Sequence, residues 1–248
     1  MKLPSDRSRL LAGLVITTLV VFGCQSTRQS NQASSQVSSA GIFPPTKESQ
    51  AAMTPQQAVA ELKAGNERFV SGQPRPRNPL ADVKATAAGQ YPFAVVLSCL
   101  DSRVPIELVL DQGIGDIFST RVAGNVLEED VLGSMEFGCK AAGSKLIAVI
   151  GHSNCGAIKG AIDNVELGNL TALLSRIKPA IDQVPGDTPS RNSKNLEFVD
   201  KVAEANVRLV MKQIRERSAV LREMLEEGKI GLVGGMYDLS TGRIRFLE

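Results

Sequence analysis

Tryptophan is absent from the 248 residues, and two tyrosines and eight phenylalanines supply all the aromatic content, 4% of the chain. A surface that stacks nucleic-acid bases needs more rings than that. An excess of one charge is missing too: 28 Lys and Arg stand against 26 Asp and Glu, a formal +2. Bulk electrostatics therefore make no case for a nucleic-acid partner. Histidine occurs once and cysteine four times. No internal repeat is visible, and no apolar run is long enough for a comfortable membrane span. What is present is 43% hydrophobic content, which suits one ordinary globular domain plus a non-globular segment.

The non-globular part comes first. Lys2, Arg7 and Arg9 precede an apolar run from Leu10 to Phe22, the arrangement of a secretory signal. The run ends Val21-Phe22-Gly23-Cys24. This resembles a bacterial lipobox, in which the peptide is cut before the Cys and that Cys is acylated. Val stands where Leu is commoner, and Phe22 is bulky; a plain signal peptide or a short anchor helix is the alternative. Gln25 follows the Cys where an inner-membrane retention signal would have Asp. Residues 1–23 are thus expected to be a lipoprotein signal peptide. Acylated Cys24 is expected to tether the protein on the periplasmic side of a bacterial membrane, the outer membrane in a Gram-negative cell. Residues 25–50 are rich in Ser and Gln, with Pro44-Pro45 near the end and no apolar periodicity. Residues 24–52 therefore read as a flexible tether.

The domain is expected over 53–248. Thr54 suits an N-cap, Pro55 the first helical position and Gln57 a capping box, so a helical arm should run to about Val70. A Pro-rich loop follows around Pro74 to Pro79. Short runs rich in Val and Ile, Phe93–Ser98, Asp116–Val122, Lys145–Ile150 and Ile230–Tyr237, read as buried strands. Helical patterns separate them at Asp130–Ala142, Cys155–Asn164, Leu170 to about Val184 and Leu196–Glu227. Arg243–Leu247 alternates like an edge strand. Strand–helix alternation predicts a single α/β domain with a mostly parallel sheet flanked by helices. In such folds the site lies outside the carboxyl ends of the strands.

The chemistry-bearing residues fall at those ends. Cys99 follows the first strand in Cys99-Leu100-Asp101-Ser102-Arg103, and His152 and Cys155 follow the third in Gly151-His152-Ser153-Asn154-Cys155-Gly156. If the two strands are neighbours, two thiolates and an imidazole converge. That set suits zinc and leaves a fourth position open, the mark of a catalytic rather than a structural site. The plain alternatives are a core histidine, a Cys99–Cys155 disulfide and an ordinary Asp101–Arg103 surface pair. With Cys24 acylated, three cysteines remain in an oxidising compartment, so at least one has no intramolecular disulfide partner.

C-x-D-x-R followed about fifty residues later by H-x-x-C-G resembles the β-class carbonic anhydrases. Asp111 to Phe118, Arg121 to Asn125, Ser134 to Phe137 and Val233 to Asp238 are similar too, so the resemblance spans roughly Thr54 to Glu248. It implies one Zn²⁺ on Cys99, His152 and Cys155, with Asp101 and Arg103 as a catalytic carboxylate–guanidinium dyad and Asp101 as an alternative fourth ligand. It implies interconversion of carbon dioxide and bicarbonate. Gln90, Phe118 and Gly156 become substrate-binding candidates, in a pocket at the interface of a homodimer or higher homo-oligomer. Packing alone would explain Phe118, and a solvated loop Gln90. Ala123 stands where plant-type members carry Val. A regulatory bicarbonate site built on Trp, Arg and Tyr lacks its Trp, although Arg121 is present. Cys139 matches no ligand position and reads as a buried thiol beside Met135. Hydrolysis of carbonyl sulfide or carbon disulfide, and passive zinc or bicarbonate binding, are the rival activities.

Overall fold

The structure, a computed structural model, describes residues 43–186 and 188–247. The expected signal peptide, Cys24 and the tether up to residue 42 lie outside the described residues. Among the described residues no helix is long and apolar enough to cross a membrane.

Two helices open the described residues, α1 (Lys47–Ala52) and α2 (Pro55–Val70). Each starts from a threonine capping box, Thr46 with Ser49 and Thr54 with Gln57, in which each side chain satisfies a backbone N–H that the helix leaves free. α1 falls in the stretch whose composition suggested tether. Its buried Gln50 amide donates to the carbonyls of Pro92 and Ala142 at 2.8 and 2.9 Å, which fastens the segment to the domain. The Pro-rich region holds an unanticipated helix, α3 (Pro79–Thr86), capped by Asn78. Next come β1 (Ala94–Ser98), a short α4 (Ile106–Val109), β2 (Ile117–Arg121), a 3-10 turn (Ala123–Asn125) and α5 (Glu129–Glu136), which ends in a π turn (Phe137–Ala141). The chain continues through β3 (Leu146–His152), α6 (Gly156–Ile162), α7 (Gly168–Ser175), α8 (Lys178–Gln183), α9 (Leu196–Arg217), α10 (Ala219–Glu226), β4 (Gly231–Tyr237) and β5 (Ile244–Leu247).

Two expected long helices are broken, each for a local reason. Leu170–Val184 splits into α7 and α8 because Pro179 sits in the first turn of α8, where its missing N–H costs nothing. Mid-helix it would clash with the preceding turn. Leu196–Glu227 splits at Ser218, whose hydroxyl accepts from the Leu221 N–H and donates to Glu136. That side-chain cap competes with helical continuation.

The sheet order is β2-β1-β3-β4-β5, parallel except for β5. β1 and β3 are buried along their whole length, because helices cover both faces. Val95, Leu97, Ile147 and Val149 point to one core, with α5 to α10. Ala94, Val96, Leu146, Ala148 and Ile150 point to the other, with α2 and α4. After β1 the chain crosses to the α4 face, and after β3 to the α6 face. The crevice between these two strand ends is the topological switch point where α/β sheets bind ligands.

Candidate metal centre

β1 and β3 pair in register, Ser98 opposite Ile150. Cys99 therefore leaves the sheet beside Gly151 and His152, the last residues of β3. Cys155 caps α6 after a two-residue turn. The ligand atoms of Cys99, His152 and Cys155 all lie within 4.8 Å of one another, and the three residues are 4%, 1% and 1% exposed. No disulfide joins them.

Histidine orientation tests whether this set fits a metal. Nδ1 of His152 lies 2.9 Å from the Ser153 carbonyl, which can only accept, so Nδ1 carries the proton. Nε2 is then a lone pair; it is buried and has no hydrogen-bond partner. A buried, orphaned imidazole nitrogen facing two thiols is costly unless something binds it. Two sulfurs and one nitrogen are a donor set for zinc, so the residues fit the ion.

The two thiols differ electrically. Cys99 is held below the ordinary thiol range, first by its hydrogen bond with Cys155 and further by His152 and the N–H groups of Asp101 and Gly124. Cys155 is pushed up by the Cys99 contact and by burial. Gly124 N–H reaches Cys99 Sγ at 3.4 Å. Arg121, which the regulatory reading considered as an anion ligand, instead donates to the carbonyls of Cys99 and Asp101 at 3.2 and 2.6 Å, bracing this loop.

Asp101 and Arg103 form a bidentate pair, Nε to Oδ1 at 2.9 Å and Nη2 to Oδ2 at 2.7 Å, with the Arg103 backbone N–H also on Oδ1. Arg103 thereby holds the Asp101 carboxyl well below the usual carboxylate range. Asp101 Oδ2 lies 3.8 Å from His152 Nε2, so an ionised oxygen faces the spot where the ligand atoms converge. Gly156, exposed at the start of α6, has open space beside its α-carbon.

Gln90 and Phe118 are elsewhere. Gln90 is exposed four residues before β1, at the amino end of the sheet, about 15 Å of strand from Cys99. Phe118, on β2, pairs with Val95 of β1 and meets Phe137 edge-on at 6.1 Å. It lines a hollow of about 620 Å³ with Glu129, Asp130 and Ser134. Within one chain these two residues do not join the cysteine–histidine cluster.

Sequence reasoning passed over two buried or half-buried polar residues of α9: Asp200, which bonds to the His152–Cys155 loop, and Asn206, which bonds to the Gly124 turn behind Cys99. For Asn206 a signal existed: it interrupts the apolar stripe of Val199, Val202, Ala203, Val207 and Val210.

A family described as carbonic anhydrase matches residues 94–244. "Carbonic anhydrase 2" of Mycobacterium tuberculosis is 36% identical over 190 residues, covering 76% of this chain and 91% of that protein. The crystal structure of the b-carbonic anhydrase CafA of Aspergillus fumigatus is 26% identical, with a TM-score of 0.62 over 78% of this chain and 90% of that one. One of two tetrameric beta-carbonic anhydrases from Sordaria macrospora shares the fold at 23% identity, TM-score 0.59, over 77% and 95% of the two chains.

Proposed function

The chain belongs to the β-class carbonic anhydrases, and from that membership we propose that it hydrates carbon dioxide with one Zn²⁺ on Cys99, His152 and Cys155, as an exported, lipid-tethered enzyme. The observation that carries the zinc assignment is the buried lone pair on His152 Nε2 beside two sulfurs. Zinc held there would supply the Lewis acidity that makes water nucleophilic near neutral pH.

The chain's own residues do the aiming. Asp101, ionised and fixed by Arg103, accepts through Oδ2 a hydrogen bond from the attacking water and so points its lone pair at the carbon. The same oxygen is the alternative fourth ligand, and the Arg103 grip decides between the two tasks. The product is bicarbonate plus one proton. The single histidine is committed at Nδ1 to Ser153 and at Nε2 to the metal, so the proton leaves through water or buffer rather than an imidazole relay. Gln90 and Phe118 lie too far from their own chain's cluster; their substrate roles need a second copy facing the β2 edge, in a homodimer or higher homo-oligomer.

The tether rests on the basic front, the apolar run and Cys24. Labelled fatty acid fed to expressing bacteria should enter the wild-type chain and not Cys24→Ser, and equal labelling would remove the anchor from the reading. For the chemistry, the purified full chain should carry about one zinc per chain, the count three protein ligands imply, and hydrate carbon dioxide in stopped flow. Full zinc without hydration would overturn the reaction and make carbonyl sulfide the next substrate.

A further inference from the structure

Two loops carry the ligands, one with Cys99 and one with His152 and Cys155; a helix that supplies no ligand bonds to the second and to the Gly124 turn that donates to Cys99. We infer that α9 is the brace of the metal site, and that Asn206 and Asp200 are positioning residues that hold the two loops at ligand spacing. The inference rests on the zinc reading above.

Asn206 is 1% exposed. Its Nδ2 donates to the Gly124 carbonyl at 2.8 Å, and the N–H of the same Gly124 donates to Cys99 Sγ at 3.4 Å. Gly124 has φ +64° and the next residue, Asn125, φ +44°, so the turn consists of two successive left-handed residues. A Cβ at Gly124 would meet Ile177 Cδ1 at 2.8 Å and Ala157 Cβ at 3.2 Å. The glycine is thus required both by its backbone conformation and by its surroundings. Pinning the Gly124 carbonyl holds the residue from the side opposite the N–H that reaches the sulfur, and so keeps that N–H near Cys99. The Oδ1 of Asn206 has no partner. Burying an amide with half its capacity unused is unfavourable, so the Nδ2 bond is what the residue is there to make.

Asp200 does the parallel job on the other loop. Its Oδ1 accepts the Asn154 N–H at 2.7 Å. Asn154, at φ +54°, is the turn residue between His152 and Cys155. Asp200, Ala203, Asn206 and Val207 recur at three- and four-residue spacings, one face of the helix. That face passes close against the sheet at the ligand strand: a Cβ on Gly151 would lie 2.7 Å from Val207 Cγ2. One helix therefore holds the His152–Cys155 loop directly and the Cys99 sulfur through the Gly124 turn. Groups that orient metal ligands from behind commonly change metal affinity by about 10- to 100-fold when removed.

The test is zinc release from the full-length protein into excess chelator, with the cobalt-substituted protein's thiolate charge-transfer band read in parallel. Asn206→Ala and Asp200→Ala should each release zinc about tenfold faster. The cobalt band should shift in Asn206→Ala, where the N–H on Cys99 loses its aim. Asp200→Asn keeps an oxygen acceptor and should restore slow release. Val210→Ala, buried on the same helix without a bond to either loop, should lower the melting temperature yet release zinc at the wild-type rate. Wild-type release from Asn206→Ala and Asp200→Ala would overturn the brace. So would release from Val210→Ala as fast as theirs, because helix loosening alone would then explain the effect. Should Asn206→Ala not fold, Asp200→Ala against Asp200→Asn decides the same question. A wild-type protein that holds no zinc would fail the zinc reading instead, and the brace with it.

Discussion

Two buried polar clusters sit on this sheet and are built on opposite plans. The ligand cluster gathers three lone-pair donors, Cys99, His152 and Cys155, and leaves Nε2 of His152 without a partner. The second cluster lies under the N-terminal arm and sets three arginines against three carboxylates. Arg68 and Arg75 share Glu61, each at 2.9 Å. Arg68 also pairs with Asp111, and Arg77 reaches Asp116 at 2.8 Å. Phe43 covers Arg75 with its ring centroid 4.1 Å away. A few atoms of this network lack partners, but every one of its charged side chains is anchored through another atom. Burial of polar groups alone does not mark a functional site, nor does one unpartnered atom; three convergent lone-pair donors with no internal cation to balance them do. Charges that cancel among themselves hold a fold together, whereas donors with nothing to donate to await a ligand.

Mutation should separate the two plans cleanly. Cys99→Ser should lose zinc and cut hydration on the order of 10³-fold or more, since a ligand works as part of a unit. The melting temperature of the metal-free chain should barely move. Retained zinc and activity would dissolve the distinction from one side. Glu61→Gln should do the reverse. Leaving two partly buried arginines short of a partner should cost about 3 kcal/mol, read as a lowered denaturant midpoint. Activity per folded molecule should be unchanged, and an activity loss without a stability loss would reassign that network to the chemistry.

Arg103→Ala sharpens the contrast within the site itself. Arg103 is 54% exposed, so its loss should change stability by no more than about 0.5 kcal/mol. Releasing Asp101 should still lower kcat about 100-fold, the scale at which a misplaced group is felt, with zinc retained. A near-normal Arg103→Ala enzyme would rule out the aiming role.

These clusters differ in how far the sequence betrays them. The cysteine–histidine cluster was legible because C-x-D-x-R and H-x-x-C-G are short, local, and sit at the ends of apolar runs. The strands themselves were readable to within about two residues, most plainly β1 and β3, where burial on both faces leaves uninterrupted apolar stretches. The arginine network was not legible. Glu61 and Arg68 look like two more charges on an amphipathic helix, and Arg75 and Arg77 like a basic, proline-rich loop. Only the fold brings Asp111 and Asp116 against them. Breaks at Pro179 and Ser218 had local signals that apolar periodicity outweighed. The α9 contacts depend on a helix some fifty residues beyond Cys155 packing back toward the site; the break in its apolar stripe at Asn206 marks a buried polar residue but not the partner it meets.

The pH profile carries the comparison to a finer scale. Two thiolates offset the ion's charge, so the site should acidify water less than one with neutral ligands. Activity should therefore rise toward alkaline pH, and a flat profile between about pH 6 and 9 would refute this. Asp101 does not supply that rise. Its folded pKa is depressed, chiefly by Arg103. Its contribution is therefore complete above the unfolded carboxylate value, about pH 4, and is lost only as pH falls through the lower folded value.

Cys139 offers the smallest and cleanest comparison, a buried polar group belonging to neither plan. It is 2% exposed in the core beside Met135, and burial alone pushes its thiol up to about 12. Its sign is opposite to that of Asp101. A raised folded pKa means that its contribution is whole below the ordinary thiol value, about 8.5, and fades as pH climbs toward about 12. Chelated Cys24→Ser protein at mildly alkaline pH should thus react with a disulfide reagent first at Cys99, whose thiol is held low, with Cys139 reacting only on unfolding. Cys139→Ala should cost about 1 kcal/mol and leave zinc and activity untouched. If Cys139 instead reacts in the native chain, or if its loss slows hydration, the core around the π turn opens in solution. That core backs the hollow lined by Phe118, so such an opening would reach the β2 edge where a substrate role for Phe118 is proposed.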